Sequence, residues 1–121
     1  MQADTILVVE DEPLIRDAVC ADLSDAGFDV REAASGAEAL EILTREPMID
    51  ALLTDIRMPG PVDGWALAER ARFDHGDLPI IYVTAFSAEK GRPVRGSIML
   101  RKPMSLEMIL DALAKMGLPH K

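Results

Sequence analysis

A single cysteine, Cys20, excludes an internal disulfide and any zinc site built on paired cysteines. It falls within a helix-period segment and reads as a buried, inert thiol, because free cysteine packs as a small hydrophobe. Basic residues are scarce: 13 Lys and Arg against 21 Asp and Glu leave a net charge of −8. That balance argues against a nucleic-acid surface, which needs clustered cations to displace counterions. Part of the negative excess can serve a cation site instead. No apolar run approaches the ~20 residues that span a bilayer. Met1-Gln2-Ala3-Asp4 also lacks the basic flank and apolar stretch of a secretory signal. A cytoplasmic protein without a membrane partner is expected. Repeats, low-complexity tracts and linkers are absent as well, so a single domain over residues 1–121 is expected.

What is present is the composition of a globular core, 49% hydrophobic and 28% charged. Apolar β-branched runs alternate with helix-period segments. Residues 5–10 (TILVVE) predict a buried strand and 13–26 the helix after it. In that helix Pro13 suits the first turn, Leu14, Ile15, Ala18, Val19 and Leu23 make one face, and Gly27 stops it. Residues 29–33 predict a second strand. Ser35-Gly36-Ala37-Glu38 is a capping-box pattern opening a helix to about Glu46, where Pro47 forbids continuation. Residues 51–55 (ALLTD), 79–84 (PIIYVT) and 97–101 predict three more strands, with a helix over 64–73. Ser105 caps a last helix, in which Leu106, Ile109, Leu110 and Leu113 recur at helical spacing. Strands alternating with helices imply right-handed crossovers and a parallel sheet covered on both faces. The expected fold is α/β, flavodoxin-like and doubly wound, with five strands in the order 2-1-3-4-5. In such sheets ligands bind beyond the carboxyl ends of the strands.

Those ends carry Glu10-Asp11-Glu12, Asp55, Thr84 and Lys102. Taken singly, each reads as a helix cap, a solvated turn or a surface cation. Taken together, three carboxylates crowd one edge, and each pair ~4 Å apart costs roughly 4 kcal/mol at an effective dielectric of ~20. Lys102 supplies one positive charge, which is insufficient for the group. A hard divalent cation with oxygen ligands supplies the rest, and Mg²⁺ suits few protein ligands plus water and phosphate.

The segments Val8-Val9-Glu10-Asp11-Glu12, Thr54-Asp55-Ile56-Arg57-Met58-Pro59-Gly60 leading to Asp63-Gly64, Val83-Thr84-Ala85 and Arg101-Lys102-Pro103 occur in this order. With them the chain resembles, over essentially its whole length, the receiver domain of two-component response regulators. The resemblance implies roles. Asp55 is the phosphoacceptor, a carboxylate nucleophile that forms an acyl phosphate. Asp11, Asp55 and the backbone carbonyl of Arg57 hold Mg²⁺ directly, and Glu10 acts largely through water. Lys102 and the Thr84 hydroxyl contact phosphoryl oxygens, and the Lys102–Pro103 peptide is cis. The implied partners are a histidine kinase or histidine phosphotransfer protein and a downstream protein target that the sequence does not name. The chain carries out its own phosphoryl chemistry without being a turnover enzyme.

The family pattern is broken in places. Many receivers carry Tyr or Phe three residues before the Lys; here Met99 stands there, leaving the usual Thr–aromatic switch through Thr84 in doubt. The stretch from Thr84 to Lys102 is several residues short and contains Gly91, Pro93 and Gly96. A fourth helix, between strands 4 and 5, is therefore expected to be reduced or absent, as in a subset of bacterial single-domain receivers. The loop after Asp55 is one residue longer than common, an excess expected to be absorbed at Pro61-Val62. Fast-dephosphorylating receivers often carry an amide or carboxylate two residues after the Asp or the Thr. Arg57 and Phe86 occupy those positions, so slow autodephosphorylation is expected. Trp65 reads as a packing residue. His75 and His120 fall in a loop and the tail, without the setting of a phosphorelay histidine.

The chain is read either as a stand-alone receiver or as a piece of a larger protein. One alternative is a phosphorylation-independent interaction module of the same fold, against which the intact set Asp11, Asp55, Thr84 and Lys102 speaks. An Asp-nucleophile phosphatase usually has a second Asp two residues on, where Arg57 stands here. A flavoprotein needs a phosphate-cradling loop where Glu10-Asp11-Glu12-Pro13 would repel the phosphate.

Overall fold

The computed structural model describes residues 3–85 and 91–119; Phe86 and His120 lie outside these. Five strands, β1 (Thr5–Val9), β2 (Asp29–Ala33), β3 (Ala51–Asp55), β4 (Ile80–Thr84) and β5 (Ile98–Arg101), pair in parallel in the order 2-1-3-4-5. Among the described residues, four helices connect or follow them: α1 (Pro13–Asp25), α2 (Gly36–Arg45), α3 (Gly64–His75) and α4 (Leu106–Lys115). The central strands are buried on both faces, which is why they read as unbroken apolar runs rather than alternating ones.

The period of two divides those runs between two cores. Leu7, Val9, Leu52, Ile80 and Tyr82 pack with Ala39, Ile42 and Leu43 of α2 and with Trp65, Leu67 and Ala68 of α3. Ile6, Val8, Leu53, Ile81 and Val83 pack on the other side with Leu23 of α1 and Ile109 and Leu113 of α4. Cys20 joins this second core, where burial, with help from the nearby Glu32 carboxylate, pushes its thiol up to about 11. It is inert at neutral pH.

Helix starts follow their caps. Ser35 Oγ accepts the Glu38 N–H at 3.1 Å, while the Glu38 carboxylate reaches back to the N–H of Ala34 rather than Ser35. Ser105 caps α4 through the Met108 N–H at 3.2 Å. Asp63 caps α3 through the Ala66 N–H at 2.9 Å. A β-carbon on Gly64 would run into the Asp55 carbonyl and lie 2.7 Å from Ile56 Cα. Only glycine therefore lets α3 begin against the end of β3. In the loop between β3 and α3, Val62 packs over Gly36 at the start of α2.

Two expectations need correction. The expected apolar face of the first helix is buried only in part: Leu14 is 78% and Ile15 38% exposed, whereas Cys20 and Leu23 are buried. The amino-terminal half of α1 stands at the carboxyl edge of the sheet, with less of the sheet beneath it. His75 is the last residue of α3 rather than part of a loop, because the helix runs on to Gly76, whose φ of 60° ends it.

Between β4 and β5 there is no helix among the described residues. Residues 91–97 are instead fixed to α3 and β4 side chain by side chain. Arg92 forms a two-pronged pair with Glu69 at 3.1 and 3.2 Å, and the Val94 N–H donates to the Tyr82 hydroxyl at 3.1 Å. The Tyr82 ring lies 4.7 Å from that of Trp65, which is buried as a packing residue should be. No helix among the described residues is long and apolar enough to cross a membrane.

Candidate functional site

Strand order delivers the site. β1 and β3 are neighbours at the point where the chain reverses its direction of winding, so the residues leaving them meet. Glu10 follows β1 and Asp55 ends β3; with Asp11 they offer carboxylate oxygens that all lie within 4.8 Å of one another. β5 brings in Lys102 from the far side. Its N–H donates to the Thr84 carbonyl at 2.8 Å, which ties the ends of β4 and β5 together. Its Nζ lies 2.9 Å from Glu10 Oε1 and 3.3 Å from Asp55 Oδ2. The Lys102–Pro103 peptide is cis.

The other expected residues take graded positions. Thr84 is buried at the end of β4, one step past the Val83 that pairs with Asp55. Arg57 is exposed in the loop after β3. Met99 does not join the pocket; it lies on β5 opposite Tyr82 and is 44% exposed. The aromatic ring in this neighbourhood belongs to Tyr82 on the adjacent strand, held inward by the Val94 N–H.

One ammonium shared by two carboxylates leaves them unequal. Burial disfavours the charged form of Glu10, but the hydrogen bonds from Lys102 and from the Glu12 N–H outweigh it and hold this carboxyl below its usual range. Asp55 lies farther from the ammonium. Burial first, and then the charge on Glu10, push its carboxyl up to about 6. Burial works against the Lys102 charge, yet its bond to Glu10 and the charge of Asp55 prevail and raise it. The pocket is thus short of positive charge.

The donor set fits a hard divalent cation. Carboxylate oxygens, with no nitrogen or sulfur among them, suit Mg²⁺, and three such groups beside a single lysine leave a negative excess for it to neutralise. Of the competing chemistries, the flavin reading finds no support, since the β1–α1 turn presents carboxylates where a phosphate cradle would stand.

Two residues that support this geometry carry no sequence signal of that role. Tyr82 lies within an apolar strand run. Arg16 is a cation on the first helix, five residues after Asp11; its guanidinium reaches the Glu10 carbonyl at 2.9 Å.

Residues 6–114 match the family model of the response regulator receiver domain. The chain is 37% identical over 115 residues to the response regulator receiver protein CpdR of Brucella abortus, covering 92% of this chain and 94% of that one. It is 34% identical over 113 residues to the sensor histidine kinase RcsC of Salmonella typhimurium, covering 90% of this chain but only 12% of the kinase. The crystal structure of a response regulator receiver protein from Sinorhizobium medicae superposes with a TM-score of 0.88 at 36% identity, with 93% of both chains covered. The chain belongs to the response regulator receiver domains of two-component systems.

Proposed function

We propose that this receiver accepts one phosphoryl group on Asp55 from a phosphohistidine donor, in a Mg²⁺-dependent reaction, and that the modified protein binds a downstream partner differently. The observation that carries the reading is the convergence of Glu10, Asp11 and Asp55 on one another, with Lys102 Nζ bridging two of them. An Asp55 oxygen attacks phosphorus as the bond from phosphorus to the donor's imidazole nitrogen breaks. The electron pair stays on the imidazole, and an acyl phosphate is left on Asp55. Asp11 and Asp55, with the Arg57 carbonyl and Glu10 through water, would hold Mg²⁺. When bound there, the ion neutralises the carboxylates and the incoming phosphoryl oxygens. Lys102 would exchange its bond with Asp55 for one to a phosphoryl oxygen, and the Thr84 hydroxyl would donate to another.

A donor protein needs a surface bordering that pocket. An open apolar groove of about 560 Å³ lies between α1 and the β5–α4 turn, lined by Leu14, Ile15, Ala18, Lys102, Pro103 and Met104. Because Lys102 belongs to both features, a helical donor seated in the groove would bring its histidine toward Asp55. A histidine kinase or histidine phosphotransfer protein in the cytoplasm fits this description. The reaction is stoichiometric, and loss of the phosphoryl group is slow because Arg57, two residues after Asp55, cannot act as a base toward water.

Intact-mass measurement after incubation with acetyl phosphate tests the reading. Wild type should gain one phosphoryl group with Mg²⁺ and none with chelator, and Asp55→Ala none in either case. After removal of the donor, the added mass should persist far longer than in fast chemotaxis-type receivers. An unmodified wild type would indicate the phosphorylation-independent module instead.

A further inference from the structure

The pocket carboxylates stand on a tight loop between β1 and α1, and one side chain that touches none of them holds that loop. Arg16 lies in the first turns of α1, with its side chain only 17% exposed. Its Nη1 donates to the backbone carbonyl of Glu10 at 2.9 Å, and its Nε donates to Glu32 Oε1 at 3.1 Å. Glu32 lies on β2 next to Ala33, whose carbonyl accepts the Glu10 N–H at 3.1 Å. Both polar groups of Glu10's main chain are therefore tied to β2, the N–H directly and the carbonyl through the arginine. On the helix side, the Glu12 carbonyl accepts the Arg16 N–H at 2.9 Å, and the Glu12 carboxylate caps the Leu14 N–H at 3.3 Å.

Asp11 is the residue between these two anchored points. It is exposed, and the planar peptides on either side set the direction of its Cα–Cβ bond. We infer that Arg16 is a positioning residue for Mg²⁺: by clamping the Glu10 carbonyl to Glu32 it keeps Asp11 aimed at Asp55 before the cation arrives. Without the clamp, the Glu10–Asp11 peptide is free to rotate and mutual repulsion turns the carboxylates apart. Affinity then falls with the fraction of loops still in the binding geometry. The planar fork of arginine is what the position requires, because two donors of one group serve a carbonyl and a carboxylate at once; a lysine offers a point charge instead. This role differs from that of Lys102, which bonds to the carboxylates themselves. It rests on the reading of the pocket as a Mg²⁺ site.

Isothermal titration of the metal-free chain with magnesium chloride, well below the unfolding midpoint, separates the two claims. Wild type should bind and Asp11→Asn should not; a wild type that fails to bind overturns the Mg²⁺ reading itself. With wild type binding, Arg16→Gln should weaken Mg²⁺ by on the order of tenfold, the usual scale for losing a partner that orients a ligand, with Arg16→Lys in between. Saturating Mg²⁺ should restore the phosphorylation rate of Arg16→Gln with acetyl phosphate, so that the defect lies in affinity and not in turnover. A merely structural arginine would lower the unfolding midpoint in chelator yet leave Mg²⁺ affinity within about twofold of wild type, and that result overturns the inference. Should Arg16→Gln fail to fold, Glu32→Ala, which removes the acceptor of the Arg16 Nε–H and leaves α1 unaltered, gives the same reading: weakened Mg²⁺ supports the clamp and unchanged affinity refutes it.

Discussion

Asp55 and Glu10 show how one lysine can assign different work to two neighbouring carboxylates. Glu10, nearer the ammonium, stays ionised, while Asp55 remains half-protonated near pH 6 until a cation arrives. A carboxyl raised from 3.8 to about 6 in the folded protein binds its proton more tightly there than in the unfolded chain. The sign follows: folding stability falls as pH rises through this window, and the penalty is complete above pH 6 and gone below pH 4. At about 1.4 kcal/mol per pKa unit the penalty is at most about 3 kcal/mol. Asp55→Asn should therefore stabilise the metal-free protein by about 1–3 kcal/mol at pH 8 and by much less near pH 4. Urea unfolding in chelator at both pH values checks this, and equal stabilisation at the two would contradict it.

At the scale of the elements, α1 and the β4–β5 connection have departed most from plain packing. α1 leaves Leu14 and Ile15 in the open beside Lys102, an arrangement that stability alone does not explain. Ile15→Asp should slow transfer from a phosphohistidine phosphotransfer protein that charges wild type by on the order of tenfold or more. Phosphorylation by acetyl phosphate should be retained, since a small donor needs no groove. Comparable loss with both donors would show that the substitution had damaged the pocket. The described part of the β4–β5 connection, residues 91–97, is held by point contacts, among which Gly91 lies so close to Trp65 that a β-carbon would overlap the indole. Gly91→Ala should cost roughly 1–3 kcal/mol in urea unfolding and shift the emission of Trp65, the only tryptophan. Unchanged emission and stability would mean that this segment is not held against α3.

Across the whole molecule, the parts fixed by strong local rules could be read from the sequence. Unbroken apolar strands, Ser35 and Ser105 as caps, and Gly27 as a stop gave the element order, and the order brought Glu10, Asp11, Asp55 and Lys102 to one edge. What could not be read depended on neighbours distant in sequence. The exposure of Leu14 follows from where α1 begins relative to the sheet, and no helical period carries that information. Tyr82 looks like any strand residue until Trp65 and Val94 surround it, and Arg16 looks like a surface cation until Glu32 arrives from β2. The most direct test of the account is to locate the phosphoryl group. After charging with acetyl phosphate and Mg²⁺, borohydride reduction marks an acyl phosphate at the carboxyl that carried it, and peptide sequencing by mass spectrometry names the residue. The account predicts the mark on Asp55 alone; a mark on Asp11 or Glu10, or none in a protein that binds Mg²⁺, would contradict it.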